Sequence, residues 1–198
     1  MPTVTLCLIA RNEERFLPDC LASVRGVVDE IVVVDTGSTD RTAKIARKAG
    51  AKVIEAPWTD DFAAARNAAL SRATGDFILQ LDADERLAAG AGPVLRAAAT
   101  GTFDCGMLRL HDAALVDAKV EDVLSGRARL GDSCYLPRFL RRTPDLAWEG
   151  IIHEEVSAWV VRRGPRAGRG TPGDGRPWSP GLAGSAAHRS TGSSRRYG

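Results

Sequence analysis

Apolar and polar residues alternate along the first eighty positions in blocks that follow two different periods. Thr3 to Ala10 (TVTLCLIA) is a short apolar run that breaks into the polar cluster Arg11-Asn12-Glu13-Glu14, the pattern of a buried strand. Phe16, Leu17, Cys20, Leu21 and Val24 then recur at helical spacing, with Pro18 tolerable in the first turn and Gly26 at the stop. Glu30 to Val34 is a β-branched strand closed by Asp35-Thr36-Gly37-Ser38, and Thr39 or Asp40 suits the N-cap of a helix over 41–49. Lys52 to Ala56 reads as a third strand, and Asp60 or Asp61 as the cap of a helix carrying Phe62, Ala65, Ala69, Leu70 and Ala73. Phe77 to Leu81 is a fourth strand, ending in Asp82-Ala83-Asp84-Glu85. Strands alternating with helices of this length predict βαβ crossovers: an α/β domain with an open, mostly parallel sheet and helices on both faces.

Length fits that picture, since 198 residues, 44% hydrophobic and 26% charged, make one α/β domain and not two. No apolar run is long enough to span a bilayer, and no charged, then apolar leader precedes the first strand. Cys7, Cys20, Cys105 and Cys134 form no C-x-x-C pair, which fits small buried side chains in a reducing compartment, and three histidines are too few for a His-rich metal centre. The net charge of +2 is uneven: 162–198 hold eight Arg and one Asp, a net of +7, leaving −5 for 1–161. That tail also holds nine of the 20 glycines and four of the 10 prolines without helical or strand period, so it reads as disordered. Arginines without interleaved aromatics on such a background do not predict specific nucleic-acid binding. Residues 1–161 are the expected domain, with a first half over about 1–90 and a second over about 91–161.

In open parallel sheets ligands bind at the carboxyl ends of the strands, where this chain places its polar clusters. Asp35-Thr36-Gly37-Ser38 resembles the catalytic turn of an aspartic protease, but that chemistry needs two such carboxylates among β-strands, and here the motif occurs once, before a helix. Asp82 and Asp84, two apart in an extended segment, leave one face together and suit a hard cation bridging to a diphosphate; the alternative is an acidic turn that caps the next helix near Glu85. Asp35 is a candidate for a nucleotide base or ribose hydroxyl, or else for capping the second helix.

Taken together, LIARNEE, EIVVVDTGSTDRT, DFAAARNAAL, GDFILQLDADERL and WEGIIHEEV resemble the family 2 glycosyltransferases of GT-A fold, over 3 to about 158. The branch most similar includes lipopolysaccharide-core and peptide or protein glycosyltransferases, which share W-x-G-x-x-H-E. The resemblance implies inverting transfer from a nucleotide-diphospho-sugar donor to a glycan, lipid-linked or peptide acceptor, with Mg²⁺ or Mn²⁺. It implies a cytoplasmic location, or a peripheral one at the inner membrane face. Carried over by position, Ala10, Arg11 and Asn12 line the nucleotide pocket, Asp35 contacts the base, Asp82 approaches the ribose or metal, and Asp84 holds the metal. Arg66 lies near the nucleotide or diphosphate, or pairs with an acid on a helix surface. Glu154 is the implied base, with Glu155 second; His153 supports catalysis or a turn, and Trp148 is an acceptor-side wall or a core residue. Arg109, His111, Tyr135 and Arg138 fall on the acceptor side without assigned roles. The resemblance stops near Val161, where family members continue with a further strand region and a metal-ligating His that His188 does not replace by context. A truncated or degenerate nucleotide-sugar-binding protein without turnover is therefore the alternative. A sugar-phosphate nucleotidyltransferase, which needs a Gly-rich loop after the first strand, ranks below it.

Overall fold

The computed structural model describes residues 1–164 and the backbone of 184–187. Its first strands follow the apolar runs: β1 (Val4–Ala10), β2 (Glu30–Asp35), β3 (Lys52–Glu55) and β4 (Phe77–Gln80). Helices α1 (Leu17–Ser23), α2 (Thr42–Lys48) and α3 (Phe62–Leu70) connect them. The strands lie in the order β3-β2-β1-β4, all parallel, with Thr5 opposite Glu30 and Ala10 opposite Asp35.

The remaining elements are β5 (Glu85–Leu87), α4 (Ala91–Ala99), β6 (Cys105–Asp112), α5 (Val120–Leu124), β7 (Cys134–Arg141), α6 (Ser157–Arg163) and β8 (Gly184–Ala187). They extend the sheet beyond β4 as β7-β6-β8-β5. Strand β7 runs antiparallel to both β4 and β6, so the sheet is mixed but keeps a parallel half over β3-β2-β1-β4. Every residue of β1 is buried, because helices cover both faces. Leu6 and Leu8 pack with α1 and α4 residues such as Leu17, Leu21 and Leu95. Cys7 and Ile9 point the other way, onto Ala65 and Ala69 of α3 and Trp159 of α6. The alternation along one strand thus builds two cores.

Two capping alternatives resolve. Asp61 is the N-cap of α3, its carboxylate accepting from the Ala64 N–H at 2.9 Å, whereas Asp60 sits at φ +58° and accepts from Trp58 Nε1 at 2.7 Å. The N-cap position of α2 is Arg41 and not Thr39 or Asp40, although the Asp40 carboxylate, one residue earlier, accepts from the Thr42 N–H at 2.8 Å. Glu85 caps no helix: it opens β5, and α4 starts after Gly90 in the left-handed region. Cys7, Cys20 and Cys105 are buried free thiols, but Cys134 is exposed on β7, against expectation, because its end of the strand lies outside both cores. Of the tail expected to be disordered, Arg162 and Arg163 end α6, and Gly184–Ala187 pair with β5 and β6. The rest of that expectation lies outside the described residues. No helix among the described residues is long and apolar enough to cross a membrane.

Candidate active site

The carboxyl ends of β1 and β2 are joined by side chains that turn back onto the backbone. Asp35 is 4% exposed, and its Oδ1 accepts from the N–H groups of Gly37 at 2.9 Å and Ser38 at 2.7 Å, which shapes the turn after β2. Its Oδ2 is buried with no hydrogen-bond partner among the described residues. Asn12, at φ +56°, accepts through Oδ1 from the Thr39 N–H at 2.8 Å, and its own N–H donates to Ser38 Oγ at 3.0 Å. Asn12 is therefore the clasp between the two loops. Ala10 is buried, its carbonyl accepting from the Thr36 N–H at 3.0 Å, and Arg11 is half-buried with no ion pair among the described residues. One carboxylate oxygen and one guanidinium are thus left for a ligand at this edge.

A second cluster forms where β4 ends. Asp82 Oδ1 accepts from Arg66 Nη2 at 2.9 Å and its Oδ2 from Arg138 Nη2 at 3.0 Å. The same Arg138 nitrogen donates to Glu85 Oε1 at 2.7 Å, while Glu85 Oε2 accepts from the Asp82 N–H at 3.0 Å. Arg66 also donates through Nε to Glu154 Oε1 at 2.5 Å. Arg66 and Arg138 are 8% and 7% exposed, so these are desolvated charges that must be matched closely. Arg66 lies 5.3 Å from the Trp148 ring centre, and Trp148 is a buried core residue.

The electrostatics follow from that packing. Burial opposes ionisation of Asp82, but Arg138 and Arg66 overcome it and hold the carboxyl well below the usual carboxylate range. Burial pushes Glu85 up to about 7, against the pull of Arg138. Asp84 has no ion-pair partner among the described residues, and burial together with Asp82, Glu85 and Glu13 pushes it up to about 8. Glu13 belongs to the loop after β1, so the two clusters adjoin. Four acids, Asp82, Asp84, Glu85 and Glu154, meet two arginines, an imbalance that a divalent cation would correct. No group of three or more His, Cys, Asp or Glu among the described residues is placed to hold a metal. Asp84 is the acid of this cluster left without an arginine, since both Asp82 oxygens already face one, so a cation here would rest on Asp84 and be completed by ligand oxygens and water.

Of the residues expected at the site, Arg66, Asp82 and Glu154 share one network, Asp84 borders it, and Asp35 and Arg11 lie at the β1–β2 edge. Glu155 is outside: it is exposed and its Oε2 accepts from Ser157 Oγ at 2.7 Å. His153 is exposed in the left-handed region at φ +60°. Arg66 pairs with two acids, but in the interior and not on a helix surface. Arg138 had no role assigned from sequence, and Glu85 was read only as a cap; a proline before Arg138 inside a strand pattern is the one signal that marks the place. A cavity of about 830 Å³ lies at the opposite edge of the sheet, between the C-terminal ends of α1 and α2, and contains none of these residues.

Residues 5–106 match the model of the glycosyl transferase family 2. A TPR repeat-containing protein of Synechococcus elongatus is 43% identical over 156 residues, 79% of this chain and 36% of its own length. An uncharacterized glycosyltransferase of Rickettsia typhi is 39% identical over 87 residues, 44% of this chain and 30% of its own. The chain therefore spans about a third of these relatives. The crystal structure of S. aureus TarS 1–349 superposes over 80% of this chain and 53% of its own with a TM-score of 0.52 at 18% identity, a likeness of fold. The matched segment covers more than half of the chain and includes β1, β2 and β4 with Asp35, Asp82 and Asp84, and the chain belongs to glycosyltransferase family 2.

Proposed function

We propose that the chain transfers a sugar from a nucleotide-diphospho-sugar to an acceptor nucleophile with inversion at the anomeric carbon. The observation that carries this reading is Arg66, whose guanidinium joins Asp82 on the donor side at 2.9 Å to Glu154 on the acceptor side at 2.5 Å. Family membership supports glycosyl transfer; the donor, the acceptor and the stereochemistry are this proposal's own.

In this reading Asp35 offers its unpartnered Oδ2 to a base N–H or ribose hydroxyl, and Arg11 supplies a positive charge at the nucleotide edge. Asp84, with Asp82 beside it, would hold Mg²⁺ or Mn²⁺. When bound, that cation neutralises the charge that develops on the departing nucleoside diphosphate. Glu154 takes the proton from the acceptor hydroxyl, and Arg66 keeps its carboxylate oriented. Trp148 closes the floor beneath Arg66 and keeps water from it. The acceptor is a glycan, a lipid-linked molecule or a peptide, all of which present such a nucleophile.

The test is isothermal titration with UDP-, GDP- and dTDP-linked sugars, with and without Mn²⁺, on the intact chain and on Asp84→Ala. Metal-enhanced binding that Asp84→Ala loses is the expected result. Binding indifferent to metal in every case would overturn the role of Asp84, and no binding at all would overturn the donor class. Binding without release of nucleoside diphosphate would leave a nucleotide-sugar-binding protein.

A further inference from the structure

We infer that Arg138 is a positioning residue of the donor site, aimed at Asp82 and Glu85 by a β-bulge in β7; the inference rests on the reading of the site given above. The register shows how the side chain arrives there. Strand β7 pairs with β4 as Phe77 to Arg141, Ile78 to Leu140 and Leu79 to Phe139. Continuing that register sets Gln80 opposite Arg138, with Asp82 two residues further on the same face. On its other edge β7 pairs Phe139 with Gly106 but Pro137 with Met107, so one step along β6 spans two along β7. Arg138 is the extra residue.

Such a bulge bends the strand and redirects a side chain, and it tolerates proline because a ladder hydrogen bond is already missing there. Pro137 is therefore suited to its place, and the residue it precedes leaves the ladder and turns to the carboxyl end of β4. Its Nη2 spans Asp82 Oδ2 at 3.0 Å and Glu85 Oε1 at 2.7 Å. Glu85 in turn holds the Asp82 backbone N–H. Asp82 is thus fixed at its carboxylate and its amide by one arginine and its partner acid. Arg66 holds only the other oxygen. Asp84 follows Asp82 by two residues, so the direction of its carboxylate depends on the same anchor. Because Arg138 belongs to the acceptor-side half, the geometry of the donor acids is set by a strand outside the segment that carries them.

The test uses the intact chain with UDP, GDP and dTDP in Mn²⁺, taking the nucleotide that the unaltered protein binds most tightly. Arg138→Gln is expected to weaken that binding about tenfold, the order seen when a residue supporting a ligand-holding carboxylate is removed. Combined with Asp82→Asn it should add little, because Arg138 acts through Asp82. Arg138→Lys, which keeps the charge on a side chain of shorter reach without the guanidinium fork, should recover part of the loss. Should Arg138→Gln fail to fold, Arg138→Lys and Glu85→Gln provide the same comparison. Unchanged affinity accompanied by a lower Tm would make Arg138 a folding residue only and overturn the inference, as would losses that multiply in the double variant. If the unaltered protein binds none of the three nucleotides, the donor reading falls and the inference with it. Intact binding that is insensitive to Arg138 overturns the inference alone.

Discussion

Asn67 and Trp148 exchange two hydrogen bonds: Asn67 Nδ2 donates to the Trp148 carbonyl at 2.9 Å, and the Trp148 N–H donates to Asn67 Oδ1 at 2.9 Å. One side chain thus serves as a strand-like partner for the backbone at the start of the segment that ends in Glu154. The Phe62 N–H adds a bond to the Ile151 carbonyl at 3.1 Å, so α3 holds this segment at two levels, with Arg66 between them.

Asn67→Ala leaves both Trp148 backbone groups without partners and should cost about 1–3 kcal/mol of stability. Because the freed segment carries Glu154, turnover should fall more than nucleotide affinity does. Chemical denaturation together with steady-state kinetics tests this, and an equal loss in both kinetic parameters would contradict it.

Glu154→Gln keeps an oxygen for Arg66 Nε but removes the base. It should lower kcat by about 10²–10⁴-fold while nucleotide affinity stays the same. Glu155→Gln, at an exposed position bonded to Ser157, should change the rate little. Comparable losses in the two variants would remove the assignment to Glu154.

Asp35→Asn retains an oxygen for the Gly37 and Ser38 N–H groups, so the turn and the fold should survive. Replacing the unpartnered Oδ2 by an NH₂ group should weaken nucleotide binding about tenfold or more, the worth of a hydrogen bond to a charged acceptor. Far-UV circular dichroism and titration with the bound nucleotide separate the two effects.

Glu30 sets an acid limit on stability. Burial would raise its carboxyl, but Lys52, Thr5 and Thr74 outweigh burial and lower it from 4.5 to about 2. Since the folded value lies below the unfolded one, the stabilisation is fully present above pH 4.5 and is lost as pH falls toward about 2. Thermal melts across that window should show a steeper decline for the native chain than for Glu30→Gln, and parallel curves would refute the assignment.

The donor half was largely legible in sequence because its information is local. Apolar runs, β-branched residues and turn chemistry mark β1 to β4, and each polar cluster follows its strand directly. Asp61 against Asp60 was open because either residue type caps a helix; the left-handed backbone at Asp60 decides it. Glu154 was reachable through its motif, but its partner Arg66 lies 88 positions away in another motif. The oxygens of Asp82 meet Arg66 and Arg138, because the antiparallel return of β7 brings in a charge that only Pro137 marks locally. Arg138 is 56 residues from Asp82, and its direction depends on a bulge.

The distribution of thiols gives the molecule a built-in reporter position. Burial pushes Cys7 up to about 12 and Cys105 up to about 11, and raises Cys20 as well, so these three resist alkylation in the folded state. Cys134 alone is open to solvent, on the strand that carries Arg138. A maleimide fluorophore attached there, without any substitution, would sit four residues from the bulge and report on the surroundings of β7.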